Sequence, residues 1–116
     1  MPDRYKDIPV FVRWVEFLKW LLPATEKFPR RVRFTFASRI DALALDVVED
    51  LVEARYSKDK REILKRANLR LEKIRVLLRL CHEQQFLSHD AFEFAIRGVD
   101  ETGRMLGGWM KQQEGK

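Results

Sequence analysis

Nine basic side chains lie between residues 58 and 79, and they are the strongest candidates in the sequence for binding a ligand. Three acidic residues lie among them, so the segment is more positive than the whole chain, which carries a net charge of +5. Lysine and arginine bind phosphate groups whatever the base sequence. The segment therefore predicts a polyanionic partner, with nucleic acid first and an acidic membrane or acidic protein second. The nine residues are Lys58, Lys60, Arg61, Lys65, Arg66, Arg70, Lys73, Arg75 and Arg79.

A solvated helix face with a few ion pairs is the alternative interpretation of these basic residues. Glu62 and Arg66 have the i,i+4 spacing of such a pair, and Glu72 and Arg75 have the i,i+3 spacing. Three acids in the segment cannot pair nine bases, so we favour phosphate contact.

Catalytic chemistry has much less support. The two histidines, His82 and His89, lie outside any Glu-x-x-His pair of the kind that holds two metals in a helical bundle. Four carboxylates follow one another at helical spacing, but without a histidine they predict a solvated acidic face: Asp46, Glu49, Asp50 and Glu53. The sequence also lacks a glycine-rich phosphate loop and Cys/His metal spacing. We therefore expect a protein that is not an enzyme and binds no metal or other cofactor.

The remaining nucleophile candidates have structural interpretations. Ser57 and Ser88 each precede a predicted helix and are expected to cap it. Cys81 falls within an apolar pattern and is expected to be a buried hydrophobe. Because the chain has one cysteine, no signal peptide pattern and no long uncharged apolar run, we expect a reducing, cytoplasmic setting.

Four amphipathic helices must position these side chains. The periodicity predicts helices over residues 9–27, 32–56, 58–85 and 89–113 of one domain that spans residues 1–116. Asp7 is the expected cap of the first helix, and Pro23 is expected to kink or end it locally. Short links between four helices predict an all-α fold, an antiparallel up-down four-helix bundle.

The third predicted helix carries two apolar stripes. Its core seam repeats at spacings of three and four residues, as in a left-handed bundle: Leu64, Ala67, Leu71, Ile74, Leu78 and Cys81. A second stripe of Leu69, Val76 and Leu80 faces away from this seam, with basic residues on both sides. On the first helix, Val12 and Trp20 fall within the polar sector. These five residues predict an interface between subunits of an oligomer.

Several segments, taken in order, resemble the accessory variability determinant proteins of diversity-generating retroelements. The resemblance covers roughly residues 9–111 and rests on residues 27–30, 33–34, 39–40, 51–56, 71–80 and 103–109. It implies a four-helix protomer of a pentameric ring or barrel with a basic surface. It also implies binding to the element's reverse transcriptase and to RNA, DNA or an RNA–DNA hybrid, during mutagenic cDNA synthesis and retrohoming. Members of this family are not thought to be catalytic.

The resemblance extends to individual basic residues. The run of residues 74–80 is similar to the family's basic stretch on the third helix, so Arg75 and Arg79 are the first candidates for nucleic-acid or polymerase contact. Arg30 and Arg31 resemble basic residues after the family's proline in the first turn between helices. The family also has relatives outside retroelements. A protein-interaction scaffold, with the basic surface serving an acidic protein, is the alternative function.

Overall fold

The computed structural model describes residues 8–115. Within this range the chain forms four α-helices and no strands, as the sequence predicts: α1 (Pro9–Glu26), α2 (Ser38–Tyr56), α3 (Arg61–Glu83) and α4 (His89–Glu114). A 3-10 turn (Arg30–Val32) and a π-helical turn (Arg33–Ala37) join α1 to α2. Helix α3 packs against both α2 and α4, and α1 contacts the same two helices.

The ends of α1 agree closely with the predicted 9–27. Pro9 lies in the first turn, where its missing N–H group is not needed for an intrahelical hydrogen bond. The expected cap Asp7 lies outside the described residues. Pro23 lies inside the helix, which continues to Glu26, so proline does not end it at this point.

The second helix begins later than the predicted residue 32. The chain from Arg33 to Ala37 forms a π-helical turn, and the α-helix starts only at Ser38. Val32 and Ala37 are both buried although they lie five residues apart. This spacing matches the i,i+5 repeat of a π turn, which an α-helical periodicity does not anticipate.

Ser57 does not cap α3, so that prediction is wrong. Its backbone is extended and its hydroxyl donates to the carbonyl oxygen of Glu53 at 2.9 Å, which closes α2 instead. Helix α3 begins at Arg61, whose backbone N–H donates to the Asp59 carboxylate. Ser88 does cap α4, because its hydroxyl oxygen accepts from the backbone N–H of Ala91 at 3.2 Å.

The core takes one stripe from each helix. All six residues of the predicted α3 seam are fully buried. Trp14 is also fully buried, and its indole Nε1 donates to the Ala44 carbonyl oxygen at 2.9 Å, which ties α1 to α2. A Cβ atom on Gly98 would lie 2.4 Å from the Phe17 ring, so α1 and α4 approach closely there.

Candidate nucleic-acid interface

Asp50 of α2 lies at the seam between α2 and α3, where it binds two of the predicted nucleic-acid residues. Its carboxylate is 3% exposed and accepts from Arg66 Nε at 2.9 Å and from Arg70 Nη1 at 2.6 Å. The hydrogen bond from Arg66 also raises the pKa of that guanidinium. Asp50 therefore does not belong to the solvated acidic face on which the sequence interpretation placed it.

Two further acids of α2 extend this ion-pair network. Glu53 accepts from Arg66 Nη2 at 2.9 Å, and Asp46 lies 3.9 Å from Arg70 Nε. Arg66 and Arg70 are thus held by carboxylates of the neighbouring helix. The acidic face of α2 and the basic side of α3 neutralise each other along this seam.

Arg75 is held in a similar way between α3 and α4. Its Nε donates to the Asp100 carboxylate at 2.6 Å and its Nη1 donates to Glu72 at 3.0 Å. A Cβ on Gly103 would lie 2.7 Å from Arg75 Nη2, so the absence of a side chain at Gly103 makes room for the guanidinium. The predicted Glu72–Arg75 pair is therefore present, and Asp100 is a partner that the sequence analysis missed.

Arg61 and Lys65 pair with acids close in sequence. Arg61 makes two side-chain hydrogen bonds to Asp59, which lower the pKa of that carboxyl to about 2. Glu62 lies 3.6 Å from the Lys65 ammonium rather than pairing with Arg66 as the spacing suggested. These pairs are exposed, so the cations stay accessible to a phosphate that displaces a carboxylate.

Arg79 and Lys73 differ from the other basic residues of α3. Both side chains are exposed, and neither forms an ion pair with any described residue. Lys73 lines a surface groove between α2 and α3 together with Arg39 and Val76. Their charges are therefore free to meet an external anion.

The turn between α1 and α2 supplies a second group of free charges. Five basic residues and no acidic residue lie between positions 27 and 39, and all five are exposed without an ion pair among residues 8–115. They are Lys27, Arg30, Arg31, Arg33 and Arg39. The guanidinium carbon of Arg31 lies 5.0 Å from the centre of the Phe86 ring, just beyond α3. The turn and the C-terminal end of α3 thus lie at the same end of the bundle, which we call the basic end.

The second apolar stripe of α3 is exposed. Leu69 is 55% exposed, Val76 51% and Leu80 39%. On α1, by contrast, Val12 and Trp20 are half-buried, and the Trp20 ring packs on the Phe94 ring of α4 with their centres 4.6 Å apart. Packing within the chain therefore accounts for much of the Trp20 surface, and the interface role of all five residues stays a prediction.

Cys81, His82 and His89, the residues considered for catalysis, are buried or packed against neighbouring side chains. Burial raises the pKa of the Cys81 thiol to about 11, so the nucleophilic thiolate is scarce at neutral pH. The His82 ring stacks on the Phe92 ring with their centres 4.5 Å apart, and His89 Nε2 lies 3.1 Å from Glu93 Oε1. In residues 8–115 no group of three or more potential ligands is placed to hold a metal ion. None of the described helices is both long enough and apolar enough to cross a lipid bilayer.

Comparison with known protein families identifies a matching family. A family model described as bAvd-like matches residues 10–113. The matched range includes all four helices almost completely, together with the basic end. No curated protein matches the chain.

Proposed function

The chain belongs to the bAvd-like family, and from this premise we propose that it is a non-catalytic accessory protein of a diversity-generating retroelement. In this role it binds RNA, DNA or an RNA–DNA hybrid through basic residues and associates with the element's reverse transcriptase. These activities serve mutagenic cDNA synthesis and retrohoming. The family match supports the retroelement role, and the basic end supports the binding of nucleic acid.

The free cations of the basic end are the observation that carries the nucleic-acid part of the proposal. Phosphate contact releases counterions only where a lysine or arginine is not already neutralised by a carboxylate. Arg79, Arg30 and Arg31 of the basic end meet this condition, and so does Lys73 in the groove between α2 and α3. Arg66, Arg70 and Arg75 are held by carboxylates, so their contribution is to position helices and to strengthen the local field.

Oligomer formation is the second part of the proposal. We take the four helices as an antiparallel up-down bundle, because residue numbers rise along one helix as they fall along its partner: Arg66 and Arg70 pair with Glu53 and Asp46 respectively. The exposed stripe of Leu69, Val76 and Leu80 then faces outward along one side of each protomer. Contact between neighbouring copies would remove this apolar stripe from water, and its exposure therefore supports a homo-oligomeric ring. The number of five subunits follows from the resemblance.

The test of nucleic-acid binding compares charge-removing variants in a salt titration. The variant Lys73→Gln/Arg79→Gln removes two free cations, and Arg104→Gln removes an exposed, unpaired arginine of α4 as a control. Fluorescence anisotropy with a short RNA–DNA hybrid gives the slope of log K against log salt. We expect the double variant to lose about 0.9 of slope for each lost contact, and the control to match the wild type.

A protein-interaction scaffold without nucleic-acid binding is the second candidate function. The internal ion pairs favour it, since five of the nine basic residues between positions 58 and 79 already contact a carboxylate. Absence of salt-dependent binding by the wild type, even at low salt, would support the scaffold and overturn the nucleic-acid proposal. Co-purification with the reverse transcriptase of the same element tests the polymerase association separately.

A further inference from the structure

Phe34 is the most exposed large hydrophobic side chain among the described residues. It lies in the π-helical turn of the basic end and is 85% exposed. Its neighbour Phe36 is half-buried and packs edge-on against Phe86 at 5.6 Å. The turn therefore directs one phenylalanine into the protein and leaves the other in water, although burial of either ring would be favourable.

The inner side of the turn is anchored, which fixes the outer side. Val32 and Ala37 are buried, and the Phe86 ring contacts Phe28 at 6.4 Å as well as Phe36. Arg31 is also held against Phe86, with its guanidinium carbon 5.0 Å from the ring centre. Because the inner side of the turn is packed, the backbone that carries Phe34 is held in place. A ligand can therefore bind Phe34 with little reordering of that backbone.

Exposed arginines lie before and after Phe34 in the sequence of the basic end. Arg31 precedes it by three residues, in the 3-10 turn, and Arg39 follows it by five, in the first turn of α2. Arg33 is its direct neighbour in sequence and lines a groove with Glu26 and Asp41 without forming an ion pair with either. An exposed aromatic ring on a turn that carries unpaired arginines has the chemistry that binds a base and its neighbouring phosphates.

We propose that Phe34 is a stacking platform for an unpaired base of single-stranded RNA or DNA, with the neighbouring arginines holding the phosphates on either side. The inference rests on the proposed function, because it requires that the basic end binds nucleic acid. Bases inside a duplex are stacked on both faces and cannot lie on Phe34. The site therefore distinguishes a single strand, or an unpaired end, from a duplex.

The test measures binding of a fluorescent single-stranded oligonucleotide and of a duplex of equal length. Phe34→Ala removes the ring without opening the core, since the ring is 85% exposed. We expect single-strand binding to weaken by about 5- to 150-fold, the loss typical of one stacked base. Duplex binding and the salt slope are expected to stay unchanged, and Phe34→Trp is expected to restore binding. Leu45→Ala, which removes an exposed apolar side chain of α2, is the matched control.

Three results would overturn the inference, and one of them also rejects the proposed function. If the wild type binds neither oligonucleotide, nucleic-acid binding itself fails. If the wild type binds in a salt-dependent manner and Phe34→Ala binds the single strand equally well, only the stacking platform fails. If Phe34→Ala instead lowers the molar mass measured by light scattering, Phe34 lies at an interface between copies of the chain.

Discussion

Substitution of the buried Asp50 by alanine is expected to destabilise the protein strongly. The carboxylate is 3% exposed and holds Arg66 and Arg70 at 2.9 and 2.6 Å. Removing one partner of a buried ion pair costs about 3–5 kcal/mol. Because the Arg66 and Arg70 side chains are 43% and 26% exposed, water rehydrates them in part. We therefore expect a loss at the lower end of that range, about 3 kcal/mol.

Urea denaturation followed by circular dichroism measures this loss. A denaturant slope of about 1–3 kcal/mol/M converts it into a midpoint lower by about 1–3 M. All variants must be compared at one protein concentration, since assembly would make the midpoint depend on concentration. Asp50→Asn keeps the shape and one hydrogen-bond acceptor, so its loss is expected to be smaller than that of Asp50→Ala.

Glu53→Ala is the matched control for this experiment. It removes another carboxylate of α2 that contacts Arg66, at 2.9 Å, but Glu53 is 56% exposed. An exposed pair contributes about 0–1 kcal/mol, so the control midpoint should barely move. Equal midpoints for Asp50→Ala and Glu53→Ala would refute the reasoning, because burial of Asp50 would then add nothing to a surface ion pair.

Two further predictions concern the core. Gly98→Ala is expected to destabilise the protein by about 1–3 kcal/mol, because a Cβ would meet the buried Phe17 ring at 2.4 Å. Gly107→Ala is expected to stabilise it by about 0.5–1 kcal/mol, because a Cβ at Gly107 would have no atom within 4 Å. Urea midpoints in the opposite order would contradict this prediction. Burial raises the Cys81 pKa from 9.0 to about 11, so the native state keeps a proton that the unfolded chain releases. The free energy of unfolding should therefore fall as pH rises from 9 to about 11, and a Cys81→Ala variant with the same pH slope would contradict that assignment.

The helical periodicities were sufficient to predict the all-helical fold and the core seam of α3. Each helix repeats its apolar residues at three and four positions, and this spacing can be read without knowledge of the partner helices. The family resemblance, stated from ordered segments of the chain, is confirmed by the match over residues 10–113. The antiparallel arrangement, the ring oligomer and the reverse transcriptase partner stay predictions.

A single residue is harder to predict where its side chain has two possible partners. Ser57 has the residue type of an N-cap, but the same hydroxyl can close the preceding helix, as it does here by donating to Glu53. Asp50 falls at the edge of the apolar stripe formed by Val47, Leu51 and Ala54, all of which are buried. This position beside Leu51 was the signal in the sequence that could have indicated burial.

The sequence by itself determined which residues carry charge, which form helices and which face of each helix is apolar, since these properties depend on side chains a few positions apart. Only the tertiary structure decided which cations are neutralised by carboxylates of a neighbouring helix. Asp50 and Asp100, the carboxylates that hold Arg66, Arg70 and Arg75, lie on other helices, and these contacts depend on how the helices are rotated and staggered against each other. Helix periodicity contains no information about that stagger. For this reason the structure separates the predicted residues that are free to meet a phosphate, such as Arg79 and Arg30, from those already held by carboxylates.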